Sequence, residues 1–84
     1  LKKELKNTNF RNNFEEEKIY ADLAIQIAKL RQDEDLTQQD LALLIRTTQQ
    51  TVSRLENPHN DSFSIRTLMK IAQALHKNLK IQFV

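Results

Sequence analysis

Four polar side chains with hydrogen-bonding groups suited to nucleic-acid bases lie close together in the middle of the chain. They follow Thr48 in the order Gln49, Gln50, Ser53 and Arg54. A glutamine amide matches the N7 acceptor and N6 donor of adenine, and an arginine guanidinium matches the two acceptors of guanine. This combination predicts base reading in the major groove of DNA, although a solvated, glutamine-rich face on a small helical protein has the same composition.

The chain has few residues suited to catalysis or to metal binding. The 84 residues contain no cysteine, which removes thiol nucleophiles, disulfides and cysteine zinc ligands. His59 and His76 are the only histidines, and neither has a catalytic or metal-ligating neighbour in sequence. We therefore expect no enzyme activity, no metal and no cofactor, with surface or helix-end roles for both histidines.

Two short helices joined by a tight turn would position the polar cluster. Thr37 precedes a helix-forming run and can cap the first helix, with Asp40 near its positive end. Thr48 repeats the cap for the second helix, in which Val52 and Leu55 are spaced by three and face inward. The first helix is expected to bury Leu41, Ala42, Leu44 and Ile45. The polar cluster then lies on the outer face of the second helix, starting at its first turn.

One further helix is predicted on each side of this pair. Residues 14–33 have apolar positions at helical spacing and acidic residues in the first turn, so they predict one long helix. Ser64 can cap a later helix that ends at about His76. Residues 1–13 have no sustained period and predict a flexible N-terminal arm.

The end of the chain has the pattern of a strand. Residues 79–84, Leu-Lys-Ile-Gln-Phe-Val, alternate apolar and polar side chains. A lone strand is unstable, so it must pair with a second copy, a partner protein or a continuation of the chain. The sequence therefore predicts an all-α domain over residues 14–84, with about four helices and a short C-terminal β-strand.

Length and charge set further bounds. A chain of 84 residues supports one small core, and no apolar run is long enough for a membrane helix or a signal peptide, so a cytoplasmic protein is expected. The net charge of +2 is unevenly distributed. Residues 1–36 hold seven basic and eight acidic side chains, whereas residues 37–84 hold six and three. The positive excess therefore lies in the half that contains the polar cluster.

The two capped segments resemble the helix-turn-helix of the Cro and lambdoid phage repressor family, also called the xenobiotic-response-element family. The resemblance rests on Leu-Thr-Gln-Gln-Asp-Leu-Ala at 36–42 and Thr-Thr-Gln-Gln-Thr-Val-Ser-Arg-Leu-Glu-Asn at 47–57. It implies a lambda-repressor-like fold and a homodimer that binds a palindromic operator in double-stranded DNA. The implied DNA contacts are of two kinds, base contacts by Gln49, Gln50, Ser53 and Arg54 and phosphate contacts by Gln38, Thr48 and Asn57. Gln38 would also brace Gln49.

The same resemblance implies structural roles for other residues. An arginine late in the first helix pairs with a glutamate at the end of the recognition helix, and Arg31 and Glu56 fill these positions. A phosphate contact by Arg31 is the alternative. Asp35 and Arg46 stand where the family carries glycine, so a left-handed backbone there would cost roughly 1 kcal/mol at Arg46 and less at Asp35.

The flanks of the helix-turn-helix resemble those of the HigA-type antitoxins. Phe10, Phe14, acidic residues and Tyr20 run directly into the motif, and the chain ends in the alternating segment. The resemblance implies an antitoxin that neutralises a RelE-fold, HigB-like ribonuclease toxin and represses its own operon. The residues expected to cover the basic toxin are Phe10, Phe14, Ile19 and Tyr20, in a complex of two toxins and two antitoxins. The two phenylalanines could equally fasten the arm to the following helix, and a stand-alone phage-like repressor without a toxin is the alternative function.

Overall fold

Four helices follow one another in the computed structural model, which describes the backbone of residues 2–84 and the side chains of residues 17–84. They are α1 (Lys2–Asp33), α2 (Gln38–Leu44), α3 (Gln49–Leu55) and α4 (Ile65–Ala74). The predicted all-α architecture of four helices is confirmed. No helix within the described part of the chain is both long and apolar enough to cross a membrane.

The first helix is longer than its sequence pattern indicates. The pattern predicts a start at Phe14, whereas α1 begins at Lys2. No glycine or proline interrupts residues 1–33, so the weak helix formers asparagine and threonine are tolerated there. The presence of this helix does not test whether residues 1–13 are flexible. The flexible N-terminal arm therefore stays a prediction. The side chains of Phe10 and Phe14 lie outside the described residues.

One apolar cluster holds the four helices together. Its buried members are Ile27 from α1, Leu41, Ala42 and Ile45 from α2 and its end, Val52 and Leu55 from α3, and Ile71 and Leu75 from α4 and its end. Every predicted inward position of α2 and α3 is among them except Leu44. That prediction is wrong, because Leu44 is 55% exposed. On a helix of 100° per residue, Leu44 lies about 110° away from the centre of the face formed by Leu41, Ala42 and Ile45.

Three of the helices end in the same kind of turn, although the chain has no glycine. Asp35, Arg46 and His76 follow α1, α2 and α4 with φ angles of 57°, 58° and 57°. In each turn the next amide bonds the carbonyl five residues back, as Thr47 does with Ala42 at 2.8 Å. This is the Schellman arrangement that usually places glycine at the left-handed position. Asp35 and Arg46 thus have a left-handed backbone at the two positions where the resembled family carries glycine, and His76 is a third case.

The C-terminal segment has no regular structure in the single chain. The strand predicted over residues 79–84 is not formed, and none of the described backbone hydrogen bonds involves those residues. A strand exists only through hydrogen bonds to a neighbouring strand, and the rest of the described chain is helical or irregular. The segment instead runs beside α4, where Leu79 and Ile81 line a groove with Ile65 and Met69.

Candidate nucleic-acid interface

Threonine caps begin both helices of the central pair. The Thr37 hydroxyl accepts from the Asp40 amide at 3.0 Å, and the Asp40 carboxylate accepts from the Thr37 amide at 2.9 Å. These two bonds form a capping box. Hydrogen bonding to Thr37, first from its backbone and then from its side chain, holds the pKa of the Asp40 carboxyl below its usual range. The predicted cap is therefore present, with Asp40 as its second half.

The second cap fixes the start of α3. The Thr48 hydroxyl accepts from the Thr51 amide at 3.2 Å, and the hydroxyls of Thr48 and Thr51 lie 2.9 Å apart. Thr48 itself is exposed. Because α3 has only seven residues, its first turn makes up about half of it, and the cap defines where that turn points.

The two faces of α3 differ sharply in burial. Val52 is 0% exposed and Leu55 is 5% exposed, so both belong to the core. The opposite face is exposed and carries the predicted base-reading side chains Gln49, Gln50, Ser53 and Arg54. They include amide, hydroxyl and guanidinium groups, and no acidic residue stands in the first turn of this helix. The structure thus brings the four residues together on one solvent-facing surface that begins at the helix N-terminus.

A single carboxylate joins the ends of three helices. Glu56 accepts from Arg31 Nε at 2.6 Å and from Arg31 Nη2 at 3.0 Å, while Arg31 Nη1 donates to the carbonyl of Leu36 at 2.6 Å. The side chains are only 12% and 6% exposed. The hydrogen bond to Glu56 raises the pKa of the Arg31 guanidinium above its usual value. Arg31 therefore makes an internal ion pair in the structure, and its guanidinium points to Glu56 and Leu36.

Gln38 also bonds this carboxylate. Its side-chain nitrogen donates to Glu56 Oε1 at 3.2 Å, and the residue is half-buried. Among the described residues Glu56 is its hydrogen-bond partner, so the bracing of Gln49 implied by the resemblance is not found. The sequence could not show this contact because Gln38 and Glu56 are 18 positions apart and meet only when α2 packs on α3.

The loop after α3 is ordered by asparagine side chains. The Asn57 Oδ1 atom accepts from the His59 amide at 2.9 Å, and the Asn57 carbonyl accepts from the Asn60 amide at 2.9 Å. Asn60 is buried and its Nδ2 donates to the Ser62 carbonyl at 2.9 Å. Asn57 remains exposed beside the end of α3, where a phosphate contact was expected. The sequence does not predict the structural role of Asn60, because many asparagine residues in loops are exposed.

The predicted partner-binding residues have different surroundings. The Tyr20 ring stacks on the Phe63 ring with centroids 5.8 Å apart, and Tyr20 is half-buried. It therefore packs α1 against the segment before α4, and a partner could use only its remaining surface. Ile19 is 58% exposed. The side chains of Phe10 and Phe14 lie outside the described residues, so a common surface of the four residues stays a prediction.

The two histidines lie apart from the polar cluster. His59 is exposed in the loop, and His76 is exposed in the left-handed turn after α4. Within the residues whose side chains are described, no group of three or more histidine, cysteine or acidic residues could hold a metal ion. The exposed face of α3 with its flanking polar residues is thus the surface of interest.

Comparison with known proteins gives one match. A family model described as a helix-turn-helix domain matches residues 10–83, which is most of the chain. No curated protein and no solved structure matches it. The matched range contains α2, α3 and α4 and both segments that flank the central pair.

Proposed function

The chain belongs to this helix-turn-helix domain family, and on that basis we propose that it is a sequence-specific DNA-binding transcription regulator with α3 as its recognition helix. The observation that carries the proposal is the exposed face of α3. In this kind of motif the N-terminal residues of the second helix meet base edges in the major groove. Here those residues are two adjacent glutamines, which follow directly on the cap.

The proposed contacts divide into two kinds. Base contacts come from Gln49, Gln50, Ser53 and Arg54, whose groups match adenine and guanine edges. Phosphate contacts come from Thr48 and Asn57 at the two ends of α3, and from Gln38 through the amide N–H that is not bonded to Glu56. With two copies on a palindrome, the helices would enter successive major grooves about 34 to 36 Å apart and block transcription.

Alanine substitution of the two glutamines tests the base-reading role. A preferred sequence is first selected from random DNA with the unaltered protein. Gln49→Ala and Gln50→Ala should each weaken binding to that sequence by roughly 1 to 3 kcal/mol while leaving binding to random DNA nearly unchanged. Gln26→Ala, which alters an exposed glutamine on α1, is the matched control. Equal losses on both kinds of DNA would refute the assignment.

We further propose that the protein is an antitoxin of the HigA type, which neutralises a basic, RelE-fold ribonuclease toxin and represses its own operon. The supporting feature is the length of α1. With 32 residues this helix is about 48 Å long, and among its described side chains, from Glu17 onward, the first fully buried one is Ala24. Glu17, Lys18 and Ile19 are exposed, so this part of the described helix offers surface that the DNA-binding core does not bury. A partner surface would include Ile19 and, by resemblance, Phe10 and Phe14.

Co-expression distinguishes the antitoxin from a stand-alone repressor. The chain is produced with the product of the adjacent open reading frame and purified through this chain. A stoichiometric basic protein of about 100 residues, whose ribonuclease activity is blocked in the complex, would support the antitoxin. Recovery of this chain alone would favour the stand-alone repressor, for which α1 has no protein partner.

A further inference from the structure

A groove between the end of α2 and the outer face of α4 combines apolar and basic side chains. Its volume is about 450 Å³, within the range of about 300 to 1,000 Å³ that ligand sites span. We call it the α2–α4 groove, and it is lined by Leu44, Ile45, Arg46, Lys70, Gln73 and Ala74. Ile45 is buried and belongs to the core, whereas Leu44 is 55% exposed. A partner in this groove would therefore cover an apolar side chain that the fold leaves accessible to solvent.

Arg46 lies in this groove with a strained backbone. Its φ of 58° is in the left-handed region, which is favourable for glycine and unfavourable for a residue with a Cβ atom. The turn fixes this conformation, because the Arg46 amide donates to the Leu43 carbonyl at 3.3 Å. Glycine would form the same turn with less strain. The turn itself therefore gives no reason for a guanidinium at this position.

The charges of the α2–α4 groove are all of one sign. Arg46 from the end of α2 and Lys70 from α4 are exposed, and neither forms an ion pair with any residue whose side chain is described. Residues 41–55 and 62–84 supply the whole lining and contain no acidic side chain. The preceding acidic residue, Asp40, is bonded to the amide of the N-cap residue of α2. The groove thus offers one unneutralised cation on each of its two walls.

We propose that the α2–α4 groove binds an acidic, amphipathic segment of a partner protein, whose apolar side chains cover Leu44 while its carboxylates pair with Arg46 and Lys70. An amphipathic helix that lies in an apolar groove is a common mode of peptide recognition. Complementary charge accelerates the encounter and disfavours basic partners. The toxin proposed above is basic, so this partner is a different protein. The inference does not depend on the chain being an antitoxin.

Three other occupants fit the groove less well. In a symmetric pair of copies the same surface faces itself, so Arg46 and Lys70 would lie against the same cations of the second copy. DNA would neutralise these cations, but its phosphates would not cover Leu44. A small ligand is usually buried over about 70 to 90% of its surface, which a groove with so exposed a leucine in its wall does not provide. A protein segment meets both the charge and the apolar surface.

Selection from a random peptide library tests the chemistry of the partner. Peptides of about 16 residues, long enough for about four helical turns, are displayed on phage and passed over the immobilised full chain. The recovered peptides should be enriched in aspartate and glutamate together with leucine and phenylalanine at helical spacing. Enrichment of basic or neutral peptides, or no enrichment, would overturn the proposal.

Variants of the full chain test the site, with fluorescence anisotropy of a recovered acidic peptide as the measurement. Leu44→Gln should raise the Kd about five- to tenfold, since it removes the burial of a half-exposed leucine. Arg46→Gly and Lys70→Gln should each raise it about two- to fivefold, as exposed ion pairs do. The matched controls on α1 are Ile25→Gln, also at a 55% exposed position, and Lys29→Gln, and both should leave the Kd unchanged. Equal losses in the controls, or none in the groove variants, would contradict the assignment.

Arg46→Gly keeps this test decisive, because it removes the cation and the backbone strain together. A loss of peptide binding in this variant, with an intact melting transition, does not come from unfolding. Binding of the same variants to the selected DNA and their sedimentation velocity check the other occupants. The proposal fails if Arg46→Gly and Lys70→Gln weaken DNA binding as much as peptide binding, or if Leu44→Gln abolishes a self-association of the chain. Peptide binding by a chain without any DNA sequence preference would instead contradict only the proposed function.

Discussion

Glu56 occupies a position where one side chain affects three helices. It accepts from Arg31 at the end of α1 and from Gln38 at the start of α2, and it lies at the end of α3. A carboxylate this well buried is stable only with its cationic partner, because an unpaired charge keeps the cost of desolvation without the compensating attraction. The arrangement therefore sets the relative position of α2 and α3 more than it adds net stability.

Removing one member of the pair should be far more harmful than removing both. Arg31→Met leaves the Glu56 carboxylate without a cation, and we expect a loss of about 3 to 5 kcal/mol in the free energy of unfolding, up to complete unfolding. The double variant Arg31→Met, Glu56→Leu should recover most of that loss. Urea unfolding followed by circular dichroism measures both. A loss below about 1 kcal/mol in the single variant would mean that the pair behaves as an exposed one.

At Arg46, in contrast to Arg31, we expect a substitution to stabilise the fold. Its φ of 58° is unfavourable for a side chain with a Cβ atom, and glycine removes that strain. We expect Arg46→Gly to raise the free energy of unfolding by about 1 kcal/mol. Gln26→Gly, at an exposed position inside α1, should lower it by about 0.5 to 1 kcal/mol. If Arg46→Gly is destabilising in the same urea experiment, the guanidinium makes a contact worth more than the backbone strain.

At the scale of elements, the stability of α2 and α3 depends on the caps at their ends. Each has seven residues, too few for a stable isolated helix, so the caps and the shared core must hold them. Both threonine caps and the serine cap of α4 could be predicted from sequence, because a cap is a local pattern of a few residues. The partner of Gln38 and the buried role of Asn60 could not, since they depend on packing and loop geometry.

The capping box of α2 predicts a pH dependence. Because the folded pKa of Asp40 lies below its ordinary value of 3.8, the ionised carboxylate stabilises the fold above that value, and this stabilisation is lost as the pH falls through the folded pKa. The difference in melting temperature between the unaltered protein and Asp40→Asn should therefore be present at about pH 6 and shrink toward pH 2. A difference independent of pH would show that ionisation of Asp40 does not matter.

At the two ends of the chain the sequence pattern does not correctly predict the secondary structure. The sequence pattern predicts the start of α1 12 residues too late, because asparagine and threonine are weak helix formers but do not break a helix as proline does. The alternating segment 79–84 carries a strand pattern, but a pattern cannot form a strand without a neighbour to bond. In both cases the local sequence preference is weak or incomplete, so it does not by itself determine where the helix begins or whether the strand forms.

At the scale of the whole molecule, the long first helix should be separable from the DNA-binding core. Deletion of residues 1–16 keeps Tyr20 and its stacking on Phe63, as well as Ala24 and Ile27 in the core. We expect the shortened protein to keep its melting transition and its binding to the selected DNA. Its ability to neutralise the co-expressed toxin should be lost. Electrophoretic mobility shifts and a ribonuclease assay measure the two functions on the same sample.

Two outcomes would contradict this separation of toxin neutralisation from DNA binding. Neutralisation that survives the deletion would place the toxin surface on residues 17–84, most simply on the apolar surface of α4 and the C-terminal segment. Loss of DNA binding with an intact melting transition would mean that residues 1–16 act on DNA. Deletion of residues 1–20 serves as a comparison, because it also removes the Tyr20 ring and should lower the melting temperature.

The helices that build the core follow one another along the chain with short connections, and this bears on how quickly the protein reaches its fold. The α2 and α3 helices are separated by four residues, and both pack on the end of α1 and on α4. Contacts between near neighbours require the closure of only short loops, so helical domains of this type fold in microseconds to milliseconds. A regulator with this construction would recover after transient unfolding well within the time needed to make one new chain.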